Sequence, residues 1–420
     1  MNNQVHKRLT NDQVKTILEK YCFKEIKAEQ AQDLLGLKRR QFFEWAKRYR
    51  QDPKQFSIQC ERANTHRKIV PDIEKSILKE LKKDKALIKN KDVPIRYYNY
   101  SYIQKRLQQE EDLKVSTPTI INRAKKHGFY IPRKKGKEKH DRVVITNYAG
   151  ELVQHDSSHH LFAPSADQKW YLITSIDDYS RFMLYGNLFE RETSWRHIEA
   201  AEYVFLSRGL PLKYYADRHS IFKYVERRDS LYYKHVLKED ETDPQWRKVL
   251  RDLKVGVIDA LSPQAKGKVE RPYGWLQDHL VRTCAREGIK KIHEGREILK
   301  KEINHYNFHQ VHSTTGEVPI IRLEEAVKQK KTLFRPFKIP LPYESSKDVF
   351  CMRFERTTDG YRRISFQGFE LRVPVDPYKK VELRVVPDEK TGITEIRVWH
   401  NMKLKDIKTI KTEDLKLNPF

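Results

Sequence analysis

Three carboxylates stand where their surroundings could bring them together. Asp156 ends the strand-like run Leu152-Val153-Gln154-His155-Asp156, and Asp217 ends a second such run that begins at Leu212. Glu270 closes the basic, helix-starting stretch Ser262-Pro263-Gln264-Ala265-Lys266-Gly267-Lys268-Val269-Glu270-Arg271. Carboxylates hold Mg2+, or Mn2+ in its place, through hard oxygen ligands and leave positions for water and phosphate. Two such ions about 3.5–4 Å apart can activate an attacking oxygen and stabilise the leaving 3′ oxygen of a phosphodiester. Two strands and one helix would have to deliver the three acids. Any one of them alone reads as an ordinary strand-end or helix-surface carboxylate.

Charge narrows the substrate. Lys and Arg total 84 against 58 Asp and Glu in 420 residues, a net +26 spread along the whole length, which suits a polyanion crossing several domains. The four cysteines, Cys22, Cys60, Cys284 and Cys351, lie far apart without a CxxC, so neither a disulfide framework nor a cysteine zinc site is expected. No apolar run approaches a membrane span and residues 1–10 form no signal-peptide core. A cytoplasmic, nucleoid-associated protein with no membrane partner is the expectation.

Four strings go further than chemistry alone. SPQAKGKVER at 262–271, ADRHSIF at 216–222, HDSSH at 155–159 and IDDYSR at 176–181 resemble the DDE transposases of bacterial insertion sequences, within the retroviral-integrase superfamily, and most of all the group called ISNCY. The resemblance is strong over about 140–325 and looser on either side. It implies that Asp156, Asp217 and Glu270 are the catalytic, metal-binding triad, that the partners are double-stranded DNA ends and target DNA, and that a homodimer or higher oligomer brings two ends together. Lys266, Lys268 and Arg271 would then lie within a turn or so of Glu270, near phosphates flanking the scissile bond. Pro272 departs from the family's pattern, because proline inside a helix removes a hydrogen bond and can kink it.

The elements around the triad divide the chain. Residues 1–65 read as a first helix-turn-helix domain, with helices near 11–22, 28–36 and 38–49, a turn at Gly36-Leu37, and Leu18, Ala31, Leu34, Leu35, Phe42, Phe43 and Trp45 as core. Lys38, Arg39, Arg40, Lys47 and Arg48 on its third helix could meet phosphates and base edges. Residues 66–131 read as a second helix-turn-helix domain; its last helix, capped near Ser116 and Pro118, carries Arg123. A basic linker at 132–140 with Arg133, Lys134 and Lys135 would lie along DNA.

From 141 to 327 three strands in hairpin order, followed by alternating helices and strands, give the order of an α/β RNase H-like core. The charged segment near 223–243 is an elaboration that helps to separate Asp217 from Glu270 by 52 residues. A connector at 328–347 leads to β runs at 348–356, 361–373, 380–386 and 393–400, expected to form a small barrel or open sheet within 348–420.

Rival readings share parts of this pattern. A catalytically silent helix-turn-helix regulator would keep the charge and the N-terminal modules, and an RNase H-like nuclease would keep the core alone. His155, His159 and His160 invite a zinc site, but in a strand His155 and His159 face away from Asp156, which favours a structural or substrate-contacting role.

Overall fold

The computed structural model describes residues 5, 8–58, 69–132, 146–216, 245–259 and 267–415, and for residues 259 and 267–272 the backbone alone. The chain divides into two compact units, Met1–Pro71 and Asp72–Phe420.

In the first unit three helices enclose one small core. Helix α1 (Asn11–Cys22) starts at a reciprocal cap between Thr10 and Gln13, α2 spans Ala28–Leu35, and α3 spans Arg39–Gln51. Gly36 ends α2 at φ +62°, a left-handed turn that a side chain would strain. Val14, Leu18, Ala31, Leu35, Phe42 and Ala46 are buried, whereas Leu34 and Phe43, expected in the core, are 55% and 39% exposed. The reason is helical geometry. Ala31 and Leu35, four residues apart, fill the inward stripe of α2 and turn Leu34 outward, while Phe42 takes the inward place on α3 and Phe43 packs edge-on against it.

The second unit opens with α4 (Pro71–Lys89), α5 (Tyr100–Glu111) and α6 (Thr117–Lys126). Asn99 and Ser116 cap α5 and α6 through their side chains. Strands β1 (Leu152–His160), β2 (Trp170–Asp177) and β3 (Met183–Phe189) then form an antiparallel meander. Next come α7 (Ser194–Arg208), β4 (Lys213–Ala216), α8 (Gln245–Asp252), β5 (Gly256–Asp259) and α9 (Gly267–Glu287). The mixed sheet runs β3-β2-β1-β4-β5, with β4 parallel to both β1 and β5. Strand β1 lies at the centre of this sheet.

Each face of the sheet has its own cover. On one, α9 and α10 (Ile292–Phe308) bury Trp170, Leu172, Leu188, Leu276, Leu280 and Leu299. Gly295 lets α10 come close, since a Cβ there would meet the Trp170 ring at 2.5 Å. On the other face, α7 and α8 share a core with α11 (Pro319–Lys328), α12 (Ser346–Val349) and the C-terminal strands, through Trp195, Trp246, Phe350, Leu383 and Ile396.

Those strands are β6 (Met352–Thr357), β7 (Arg363–Phe366), β8 (Phe369–Arg372), β9 (Lys380–Asp388), β10 (Ile393–His400) and β11 (Lys403–Lys411). They pair as an open four-stranded sheet, β11-β10-β9-β6, and a β7-β8 hairpin, so the open-sheet alternative describes them. Residues 346–349, partly expected as strand, are helical because the Ser345 side chain and Asp348 cap one another. Among the described residues no helix is long and apolar enough to cross a membrane.

A buried charge cluster joins α5 to α9 and α10. Lys105 Nζ lies 2.5 Å from Glu302, with side chains only 6% and 5% exposed, and His279 Nδ1 lies 3.1 Å from the same carboxylate. Burial alone would raise the Glu302 carboxyl, but hydrogen bonds from His279 and Lys105 outweigh it and hold the group at about 2. A folded-state value below the ordinary 4.5 contributes stability that is present above that value and is lost as pH falls from there towards about 2. Glu302→Gln is therefore expected to flatten the fall of urea midpoints across that acid window. Parallel falls in the two proteins would show that the cluster contributes no pH dependence.

Candidate active site

Asp156 sits in the central strand with α9 across it. Its cross-strand partner is Thr174, whose hydroxyl donates to the Tyr273 oxygen of α9 at 2.8 Å. Opposed residues of an antiparallel pair share a face, so Asp156 lies on the α9 side, where it is half-buried. The Tyr273 hydroxyl in turn donates to the Asp156 backbone carbonyl at 2.5 Å, and Gln277 Nε2 donates to Ser158 Oγ at 2.8 Å. Helix α9 is thus pinned along β1 by two side chains one turn apart. Burial, and then the charge of Asp156, push the Tyr273 hydroxyl far above its ordinary value, so it stays protonated and remains a donor.

The opposite face of β1 is wired just as closely. His155 meets Ser175 Oγ through Nδ1 at 2.9 Å and His197 through Nε2 at 2.8 Å. His197 reaches Glu192 at 3.1 Å, and Ser157 donates to that same carboxylate oxygen. The His155 ring stacks on Trp246 at 5.4 Å. Burial, with His197 beside it, holds His155 well below its ordinary value, so the ring is neutral. Both neighbours of Asp156 are therefore fixed from beneath. That makes His155 a structural histidine; His159 is exposed and stacks on Tyr171 at 4.2 Å. Among the described residues no group of three or more His, Cys, Asp or Glu side chains is placed to hold a metal ion.

The other motif acids are committed to a turn. Asp177 accepts from the Gly150 and Ser180 amides at 2.8 and 2.9 Å, and Asp178 from Arg181 at 2.8 Å and Thr146 at 2.8 Å. They build the β2–β3 connection.

The remaining candidate residues fall in three groups. Asp217, Arg133, Lys134, Lys135 and Lys266 lie outside the described residues. Glu270, Lys268 and Arg271 have their backbone in α9, which runs unbroken through Pro272, with Glu270 three residues before Tyr273. Lys38, Arg39, Arg40, Lys47 and Arg48 are exposed along α3, Arg39 over the Phe43 ring and Arg48 over Phe56. Arg123 on α6 is instead drawn against Glu74 at 3.3 Å, which takes up part of its charge. Tyr273, Gln277, Glu192 and His197 were not foreseen. Tyr273 could have been found from its place one helical turn after Glu270, but Glu192 lies in a connection without periodicity.

No family model matches the chain. A putative transposase, y4bF, of Sinorhizobium fredii is 27% identical over 262 residues, which cover 62% of this chain and 52% of the relative. The transposase for insertion sequence IS1202 of Streptococcus pneumoniae is 26% identical over 247 residues, covering 58% of this chain and 47% of the relative. Over these segments the chain is similar to bacterial transposases. It spans about half the length of the two transposases it matches. Among solved structures, the simian T-cell lymphotropic virus intasome in complex with the PP2A regulatory subunit B56 gamma aligns over 73% of this chain and 92% of that chain, at 15% identity and a TM-score of 0.34. The sheet order, and not so low a score, describes the fold.

Proposed function

We propose that the chain is a DDE transposase that binds the ends of an insertion sequence, cleaves them to free 3′-hydroxyls and joins these to target DNA. The observation that carries the reading is the fastening of α9 to β1 at Asp156, in a chain similar to transposases over 62% of its length. The pairing of β1 with β4 joins Leu152 to Lys213, Val153 to Tyr214 and Gln154 to Tyr215. Two further steps along both sequences reach Asp156 and Asp217. Glu270 stands three residues before Tyr273 in α9, a spacing that would put it near β1.

An all-carboxylate set suits a hard divalent cation, so Asp156, Asp217 and Glu270 would hold Mg2+, with Mn2+ as substitute, most simply as two ions. Such ions supply Lewis-acid polarisation of the phosphoryl oxygens and a more acidic water. The chain's own part is positioning. Tyr273 and the His155–His197–Glu192 relay hold the backbone on either side of the Asp156 carboxylate, while Lys266, Lys268 and Arg271 would take flanking phosphates. Water oxygen displaces the 3′ oxygen from phosphorus in the first step. The freed 3′-hydroxyl then attacks a target phosphodiester and displaces its 3′ oxygen in turn. Two ends must meet for this, so the working form is at least a homodimer. The first unit, and α4–α6, are the readers of the double-stranded ends.

On α3, Arg40 and Lys47 are seven residues apart on the face opposite Phe42 and Ala46. Replacing both by Ala is expected to lower the slope of log affinity against log salt by about 0.9 for each phosphate that the variant no longer neutralises. An unchanged slope in a salt titration with end DNA would remove α3 from the interface.

Incubating the protein with terminal-repeat DNA, target DNA and Mg2+, then sequencing the products, tests the whole reading. Breaks at the 3′ ends and joined products are expected. Specific binding without cleavage would instead describe a regulator, and cutting without end preference a nuclease.

A further inference from the structure

Helix α9 is held on two sides. Tyr273, Leu276 and Leu280 turn towards the sheet, while Asp278, Arg282 and Arg286 turn towards α4 and α5. The Arg282 side chain is 1% exposed: Nη1 donates to Asp84 at 2.7 Å, Nε to Asp278 at 2.9 Å, and Nη2 to the Tyr97 carbonyl at 2.5 Å. Arg286 takes the other Asp84 oxygen at 2.5 Å and Glu80 at 2.5 Å. Asp84, itself wholly buried, thus receives two guanidinium groups from successive turns of one helix.

Buried ion pairs of this kind add little net stability compared with apolar packing, but their forked, directional hydrogen bonds admit one geometry. A sideways slide or a rotation of α9 would break those that reach Asp84, Glu80 and Tyr97, while the Arg282–Asp278 pair lies within α9 itself. On α5 the Tyr102 hydroxyl adds a further fixed point, 2.9 Å from Thr283.

We propose that α4 and α5 are a brace that sets the position of the helix carrying Glu270, with Asp84 as its positioning residue. The inference rests on the reading of Asp156, Asp217 and Glu270 as the reaction centre. It gives the second helical module a role beyond reading DNA: an end held by α6, whose last turn carries Arg123, Lys125 and Lys126, is referenced through α4 and α5 to the catalytic helix of the same chain.

Hydrogen exchange on the full chain tests the brace without any substrate. Asp84→Asn is expected to speed exchange of the α9 amides at 267–277 by about tenfold or more, Asp84→Glu to restore them to within about twofold, and α3 in the other unit to stay unchanged. At saturating end DNA the Asn variant should cleave more slowly with the same Kd. Should it fail to fold, Glu80→Gln, which weakens one of the two ties of Arg286 to α4 and a pair with Lys83 within α4, should show the same pattern at smaller amplitude. Faster exchange in α4 with no change at 267–277 would overturn the proposal. A wild-type chain that never cleaves would overturn the transposase reading and leave the exchange result standing.

Discussion

Asp156→Asn is expected to abolish cleavage and strand transfer, by at least ~10³-fold, while end binding stays within about twofold. The same is expected of Asp217→Asn and Glu270→Gln. Asparagine has the shape of aspartate but no charge, and Tyr273 bonds the backbone carbonyl of residue 156 and not its carboxylate, so β1 and α9 keep their tie. The loss would therefore report the missing charge at the reaction centre and not a displaced helix. Gel-based strand-transfer assays beside filter binding separate the two effects. Joined product from any of the three variants would remove that residue from the triad.

The second large effect lies at α12, beside the C-terminal strands. Asp348 is wholly buried and accepts from Arg397 Nε at 2.6 Å, Trp399 Nε1 at 3.0 Å and the Ser345 amide at 3.1 Å. Asp348→Ala leaves Arg397, itself 8% exposed, with Glu395 as its remaining ion-pair partner among the described residues. Removing one side of a buried pair costs about 3–5 kcal/mol, enough to move a urea midpoint clearly. A cost under about 1 kcal/mol would mean that water replaces the carboxylate there. The consequence reaches the site through packing. Val349 and Phe350 share their core with Trp246, which stacks on His155 beside Asp156.

The order of elements in the core was legible because each signal was local. Short strand-like runs marked β1 to β3, Gly209 closes α7, and the Asp177–Ser180 turn announced the hairpin. Other elements hid for stated reasons. Helix α10 buries Glu302 among its apolar residues, which blurs the amphipathic stripe. Strand β11, KLKDIKTIK, lies at a sheet edge and carries lysines on both faces, so it lacks the apolar alternation of a core strand. Leu34 and Phe43 were misplaced because a short helix can bury only one stripe.

For the site, three candidate acids could be proposed in order, since each sits in its own motif string. The supports could not. Asp84 and Arg282 are 198 residues apart, and His155 meets His197 across 42, so their contacts exist only after the chain has folded.

On the proposed reading, an all-oxygen metal site performs the transfer. Cleavage of end DNA by chelator-stripped protein, on adding one metal at a time, tests it most directly. The protein is expected to stay folded when stripped, to regain cleavage with Mg2+ or Mn2+, and with Ca2+ to bind DNA but cut little. A stoichiometric zinc ion in the purified protein, with cleavage restored by zinc alone, would contradict that reading.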